Sequence, residues 1–125
     1  MILNGNSDQY IRNYNSSHPA IEIYSLRIAK NTGNLILGGA GSTHSNLKIN
    51  DHLEFLNSNN AFIDSRTNNF KVVVGPNSAN LGIYQISRPN LGHVNGLLSR
   101  YIPNGSQTFD YQIGLDTIGA YRPVQ

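Results

Sequence analysis

The chain has no cysteine and no tryptophan, and only 13% of its residues are charged. Without cysteine there are no disulfides, thiolate metal centres or cysteine nucleophiles, so packing alone must hold the core. The low charge leaves nine basic residues scattered singly from Arg12 to Arg122. No cluster can neutralise a run of phosphates, and nucleic acid is not an expected partner. Long apolar runs are missing too. None approaches the roughly 18 residues of a membrane-spanning helix, so no transmembrane segment is expected. Met1-Ile2-Leu3-Asn4-Gly5-Asn6 also lacks the basic and apolar regions of a signal peptide.

What replaces charge is amide and hydroxyl, with 18 Asn and 12 Ser in 125 residues. Low hydrophobicity with low net charge does not fit disorder. A chain of this length suits one domain and buries roughly two-thirds of its unfolded surface.

The order of residues points to β-structure. Phe109, Tyr111, Ile113 and Leu115 alternate with Asp110 and Gln112, and Phe70, Val72 and Val74 alternate around Lys71. Such a two-residue rhythm marks half-buried strands, and these seven apolar residues are the expected core. In Ile21-Glu22-Ile23-Tyr24-Ser25-Leu26-Arg27-Ile28 the apolar phase shifts at Ile23/Tyr24, as at a bulge or a change of environment. Asn31-Thr32-Gly33 reads as a tight turn, and Gly38–Ser42, Asn57–Asn60, Gly75–Ser78, Arg88–Asn90 and Pro103–Ser106 as loops. No segment carries a convincing helical period, and no internal repeat is visible.

These features predict an all-β fold: an antiparallel β-sandwich or single jelly roll with extended N- and C-terminal arms. Residues 1–19 read as the N-terminal arm, 20–116 as the core and 117–125 as a C-terminal tail. Both ends carry sparse apolar anchors. Ile2, Tyr10, Ile11 and Tyr14 at one end and Ile118, Tyr121 and Val124 at the other are therefore the expected interface with other chains. Deleting either arm should then leave the unfolding temperature of the core nearly unchanged.

Candidate chemistry is sparse. Gly38-Gly39-Ala40-Gly41-Ser42-Thr43 has Gly41 where a phosphate-binding loop needs lysine, so it reads as a flexible loop. His52 and Glu54 share a strand face near His44, but the His-x-His of β-barrel metal sites is absent, and hydrogen-bonded surface is the expected role. Glu22 and Glu54 lie on strands and could meet across a sheet. Serine, histidine and aspartate occur without a nucleophile-elbow sequence. The expectation is a non-enzyme with no catalytic residues, metal or cofactor. Tyr24, Tyr84, Tyr101 and Tyr121 with neighbouring asparagines allow a carbohydrate-binding module of lectin or adhesin type, extracellular or at a cell surface. The plainer reading is that tyrosine favours strands and interfaces.

Residues 61–64, 70–76 and 82–89, followed by the alternating 109–115, have an order of strands and loops that resembles a known family. It is similar to the small single-jelly-roll vertex (penton) proteins in the capsid of tailless, membrane-containing bacteriophages. The resemblance implies a virion structural protein: a capsid subunit that forms a homo-oligomeric, pentameric ring and meets other capsid proteins.

Overall fold

The computed structural model describes residues 1–56, 61–77, 79, 83–86, 92–102, 104, 111–114 and 121–124; for 83–86, 111–114 and 121–124 it is the backbone that is described. The chain winds through short strands in sets of three. The first coil holds β1 (Ile2–Gly5), β2 (Gln9–Ile11) and β3 (Ala20–Ile23). The second holds β4 (Leu26–Lys30), β5 (Leu35–Leu37) and β6 (Asn46–Ile49), and the third β7 (His52–Phe55), β8 (Phe62–Asp64) and β9 (Lys71–Val74). The fourth holds β10 (Ile83–Ile86), β11 (His93–Asn95) and β12 (Leu97–Arg100), and β13 (Tyr111–Gly114) and β14 (Tyr121–Val124) follow.

Each strand pairs in parallel with its counterpart one coil on, which generates three sheets. The first face is β1-β4-β7-β10, the second β2-β5-β8-β11-β13-β14, and the third β3-β6-β9-β12. Ile2 pairs with Arg27, Arg27 with Glu54 and Glu54 with Gln85, offsets of 25, 27 and 31 residues. This is a three-sided parallel β-solenoid. Among the described residues its one antiparallel pairing is β13 with β14, at the C-terminal end of the second face.

The core is a stack of aliphatic rows running along the solenoid axis. Leu47 pairs with Val72, and Ile49 with Val74 on the third face. Leu26 pairs with Leu53 and Ile28 with Phe55 on the first, and Leu35 with Ile63 and Ile63 with Val94 on the second. All these side chains are buried. Burying a large aliphatic side chain contributes roughly 1.5–3 kcal/mol, so these rows are what the coils stand on. Polar residues between them point out, and four of these form two ion pairs between adjacent coils: Arg27 Nε with Glu54 Oε2 and Lys48 Nζ with Glu22 Oε1, both at 3.0 Å.

Turning the corners needs glycine where the coils crowd. Gly33 has φ +72°, and a Cβ there would lie 2.5 Å from the backbone carbon of Ser7 in the coil above. Gly96, at φ +120°, by itself separates β11 from β12, and a Cβ there would meet Ser65 Oγ at 2.5 Å.

The all-β class matches the expectation, and the sandwich or jelly roll with extended arms does not. Alternation in strands such as Lys71–Val74 (exposed, buried, half-buried, buried) reports one-sided burial. A solenoid wall has an inside and an outside just as a sandwich sheet does, so the rhythm says nothing about strand direction. The apolar phase shift at Ile23/Tyr24 is the corner between β3 and β4. The stretch read as an N-terminal arm contains β1 and β2, which pair with β4 and β5, and its Leu3 and Ile11 pack against the core. At the other end, β14 pairs along the full length of β13. A repeat is present after all, at the level of coils. Uneven corner lengths hid it, because only the aliphatic rows recur.

Candidate functional site

Two places on the solenoid differ from its regular wall. The first is the open end. In the described residues β1, β2 and β3 are each the terminal strand of their face at this end, so one edge of each lacks a backbone partner. Such an edge presents a row of N–H and C=O groups able to pair with another strand. Arg27 donates its N–H to Met1 O at 2.9 Å. By the alternation along a strand, Leu3 then also faces β4 while Ile2 and Asn4 direct their backbone groups outward. Leu3, Ile11, Ile21 and Ile23 continue the inner rows into this coil but stay only partly buried, because no coil of the described residues lies above them. Of the residues in β1–β3 only Glu22 is charged, and Lys48 of the second coil pairs with it. The usual edge protections, lysine and proline, are missing from these strands.

The second place is the corner between the second and third faces. It is formed by residues 12–19 in the first coil, 38–45 in the second and 65–70 in the third, then shrinks to Gly96 in the fourth. Asn13 fastens the upper two loops. Its Nδ2 donates to His18 O at 2.7 Å and His44 O at 2.9 Å, its backbone N–H donates to Ser45 Oγ at 3.0 Å, and its carbonyl accepts from Thr43 N at 3.2 Å. The third loop is wound on Asp64, whose carboxylate accepts from the backbone N–H groups of Arg66 and Thr67 and from the Thr67 hydroxyl. Asn68 Nδ2 donates to Leu37 O at 2.9 Å and ties this loop to the second. Arg12 lies over the Tyr10 ring, its guanidinium carbon 4.5 Å from the centroid. The same side chain crosses Gly39, where a Cβ would lie 2.6 Å from Arg12 Nε.

The residues singled out from sequence fall as follows. Ile2 and Tyr10 are exposed on the outer wall, Tyr14 is exposed on the corner, and Ile11 packs on the core. Tyr121 and Val124 lie in β14, and Ile118 lies outside the described residues. Val72 and Val74 are fully buried, and Phe70 is partly buried against the core. Tyr111 and Ile113 lie in β13, while Phe109 and Leu115 are outside the described residues. Tyr24 and Tyr101 occupy the opposite corner in the first and fourth coils; Tyr84 is in β10.

Glu22 and Glu54 do not meet: they sit on different faces, each paired to a cation of a neighbouring coil. His52 and Glu54 do share the outer side of β7, but no group of three metal-ligating side chains is gathered among the described residues. Ser25, Asp51 and His52 do come together. Ser25 Oγ donates to Asp51 Oδ2 at 3.0 Å, and His52 Nδ1 hydrogen-bonds that same oxygen. These contacts hold the Asp51 carboxyl below the usual carboxylate range, with the His52 bond the largest cause. The order of the three rules out nucleophile activation in this arrangement: aspartate stands between serine and histidine, so the imidazole does not reach the hydroxyl.

No known protein family, curated protein or solved structure matches the chain. Among the described residues no helix is long and apolar enough to cross a membrane.

Proposed function

We propose that this chain is a non-enzymatic structural protein that works by assembly, using the open first coil as its joint. The observation that carries the reading is the set of three strand edges above an unfinished aliphatic stack. The strand order that suggested a capsid vertex protein belonged to a jelly roll, and it carries no weight for a solenoid.

The occupant proposed for the open coil is a second copy of the chain, end to end and related by a twofold axis. The two ends of the solenoid differ, since among the described strands the second face runs two strands further at the C-terminal end, to β13 and the antiparallel β14, than the first and third faces, which stop at β10 and β12, so the terminal strands there are not level. A head-to-tail stack would not find three matching edges there. A head-to-head pair would, with β1 meeting its own counterpart across the twofold and β2 and β3 each meeting the other's counterpart, all in antiparallel fashion, an isologous interface. Nothing in these strands opposes it electrostatically, because their one charged residue is already paired.

Asn4→Pro tests this. It removes an outward N–H from the free edge of β1 and leaves the β1–β4 ladder intact. Sedimentation velocity of the full chain is expected to show concentration-dependent dimers, and the variant to remain monomeric with its melting temperature unchanged. A wild-type chain that stays monomeric at every concentration would overturn the reading, as would a variant that dimerises like the wild type.

A further inference from the structure

The corner of the first three coils carries a surface that assembly at the open end does not use. Between Asp8 and Glu22, and again between Glu22 and Asp51, there is no acidic residue. Both corner loops of the first two coils fall inside these stretches. They carry Arg12, His18 and His44, and the third loop adds the exposed Arg66. The carboxylate nearest to Arg66 in sequence, Asp64, is buried and occupied by its own turn. No carboxylate among the described residues pairs with Arg12. Instead it is held flat by the Tyr10 ring on one side and the Gly39 backbone on another. A guanidinium fixed in this way keeps N–H groups for an outside acceptor and loses little freedom on binding.

The same surface is aromatic and rich in amides. Tyr10 is 50% exposed and Tyr14 60% exposed. Tyr14 stands beside Gly41, where a Cβ would come within 3.7 Å of its ring. The Asn13 hydrogen bonds make the loops beneath them rigid. The surface continues to the third coil without a gap, because a Cβ on Gly38 would lie 3.1 Å from Asn68 Cβ. Coils repeat every ~4.8 Å, so the three loops span about 10 Å along the axis. That is the scale of two sugar rings.

We infer that this corner binds an acidic polysaccharide, one whose pyranose rings carry carboxylate or sulfate groups. The Tyr10 and Tyr14 rings offer apolar faces to sugar C–H groups. Arg12 and Arg66 supply charge-assisted donors for the acid groups. Asn15, Thr43 and Asn69, all exposed, supply donors and acceptors for hydroxyls. A nucleic acid fits less well, since two arginines and two histidines cannot match the charge density of a phosphate backbone. Of its residues only Tyr10 lies in an open-edge strand, β2, and the site uses that outward side chain rather than the backbone edge, so it stands or falls separately from dimerisation.

The test is binding of the full chain to polygalacturonate, heparan sulfate and uncharged dextran by calorimetry, with single-stranded DNA as the competing polyanion. Binding to at least one acidic polysaccharide and not to dextran is expected, weakening as salt is raised. Arg12→Gln should weaken it about tenfold, the loss of one charge-assisted hydrogen bond, and Tyr14→Ala should weaken it several-fold, both with unchanged melting temperature. Failure to bind either acidic polymer would overturn the proposal. So would binding indifferent to Tyr14→Ala, which indicates charge alone, or tighter binding to the DNA. If either variant lowers the melting temperature, Arg12→Lys and Tyr14→Phe replace it. The first is expected to keep part of the affinity and the second nearly all of it, and a complete loss with both would overturn the assignment.

Discussion

The first coil and the two coils after it are built on the same rows, yet they differ in how far those rows are closed. On the third face Ile21 stands over Leu47 and Leu47 over Val72. Leu47 and Val72 are fully buried, whereas Ile21 is only partly so. On the first face Leu3, Ile28 and Phe55 show the same gradient. The residue types are equivalent, so the difference comes from position: a coil is complete only when another lies on each side. Stability in such a stack is close to a sum of neighbour terms, and the terminal coil has one neighbour fewer.

The comparison can be broken at its strongest point first. Leu47→Ala leaves a cavity between two coils and should cost about 2–5 kcal/mol. Ile21→Ala, in the same row one coil up, should cost about half as much, because part of the side chain is already in water. Denaturant titration under dilute, monomeric conditions measures both. Equal losses would mean that the first coil is as closed as the second.

A smaller effect sharpens the picture at the junction of the first two coils. Lys30 is fully buried, and its Nζ donates to Ser7 O at 2.6 Å and Gln9 Oε1 at 3.1 Å, both in the first coil. Burial pushes its pKa below the ordinary lysine value of 10.5, while the nearby Asp8 charge acts in the opposite sense. The unfolded chain then holds this proton more tightly than the folded one. Stability should therefore rise as pH increases from the lowered value towards 10.5, by less than about 1.4 kcal/mol per pH unit for one proton. Lys30→Met should abolish that slope, as followed by denaturant titrations across the alkaline range. A slope that persists in the variant would assign it to another group.

Much of the wall was legible in the sequence. Alternation at Phe70, Val72 and Val74 marks a strand with one wet side, and the clusters at 31–33 and 38–42 mark corners, while those at 57–60 and 88–90 lie outside the described residues. Strand direction was not legible, because inward and outward positions alternate identically in a sandwich and in a solenoid. The coil repeat escaped for a related reason. Its signal is a handful of aliphatic positions such as Leu26/Leu53 and Leu35/Ile63, spaced by corners that run from one residue at Gly96 to eight at 38–45. The corner surface was hidden as well. Arg12 and Gly39 are distant in sequence, and only parallel stacking of β2 on β5 brings them together. A scan for acid-free stretches would have hinted at it.

Amide hydrogen exchange on the monomeric chain, resolved by strand, tests the open first coil most directly. Amides of β1, β2 and β3 are expected to exchange well before those of β4 through β9, and to gain protection when the chain is concentrated enough to pair. Protection in β1–β3 equal to that of the inner coils in the monomer would contradict an open end.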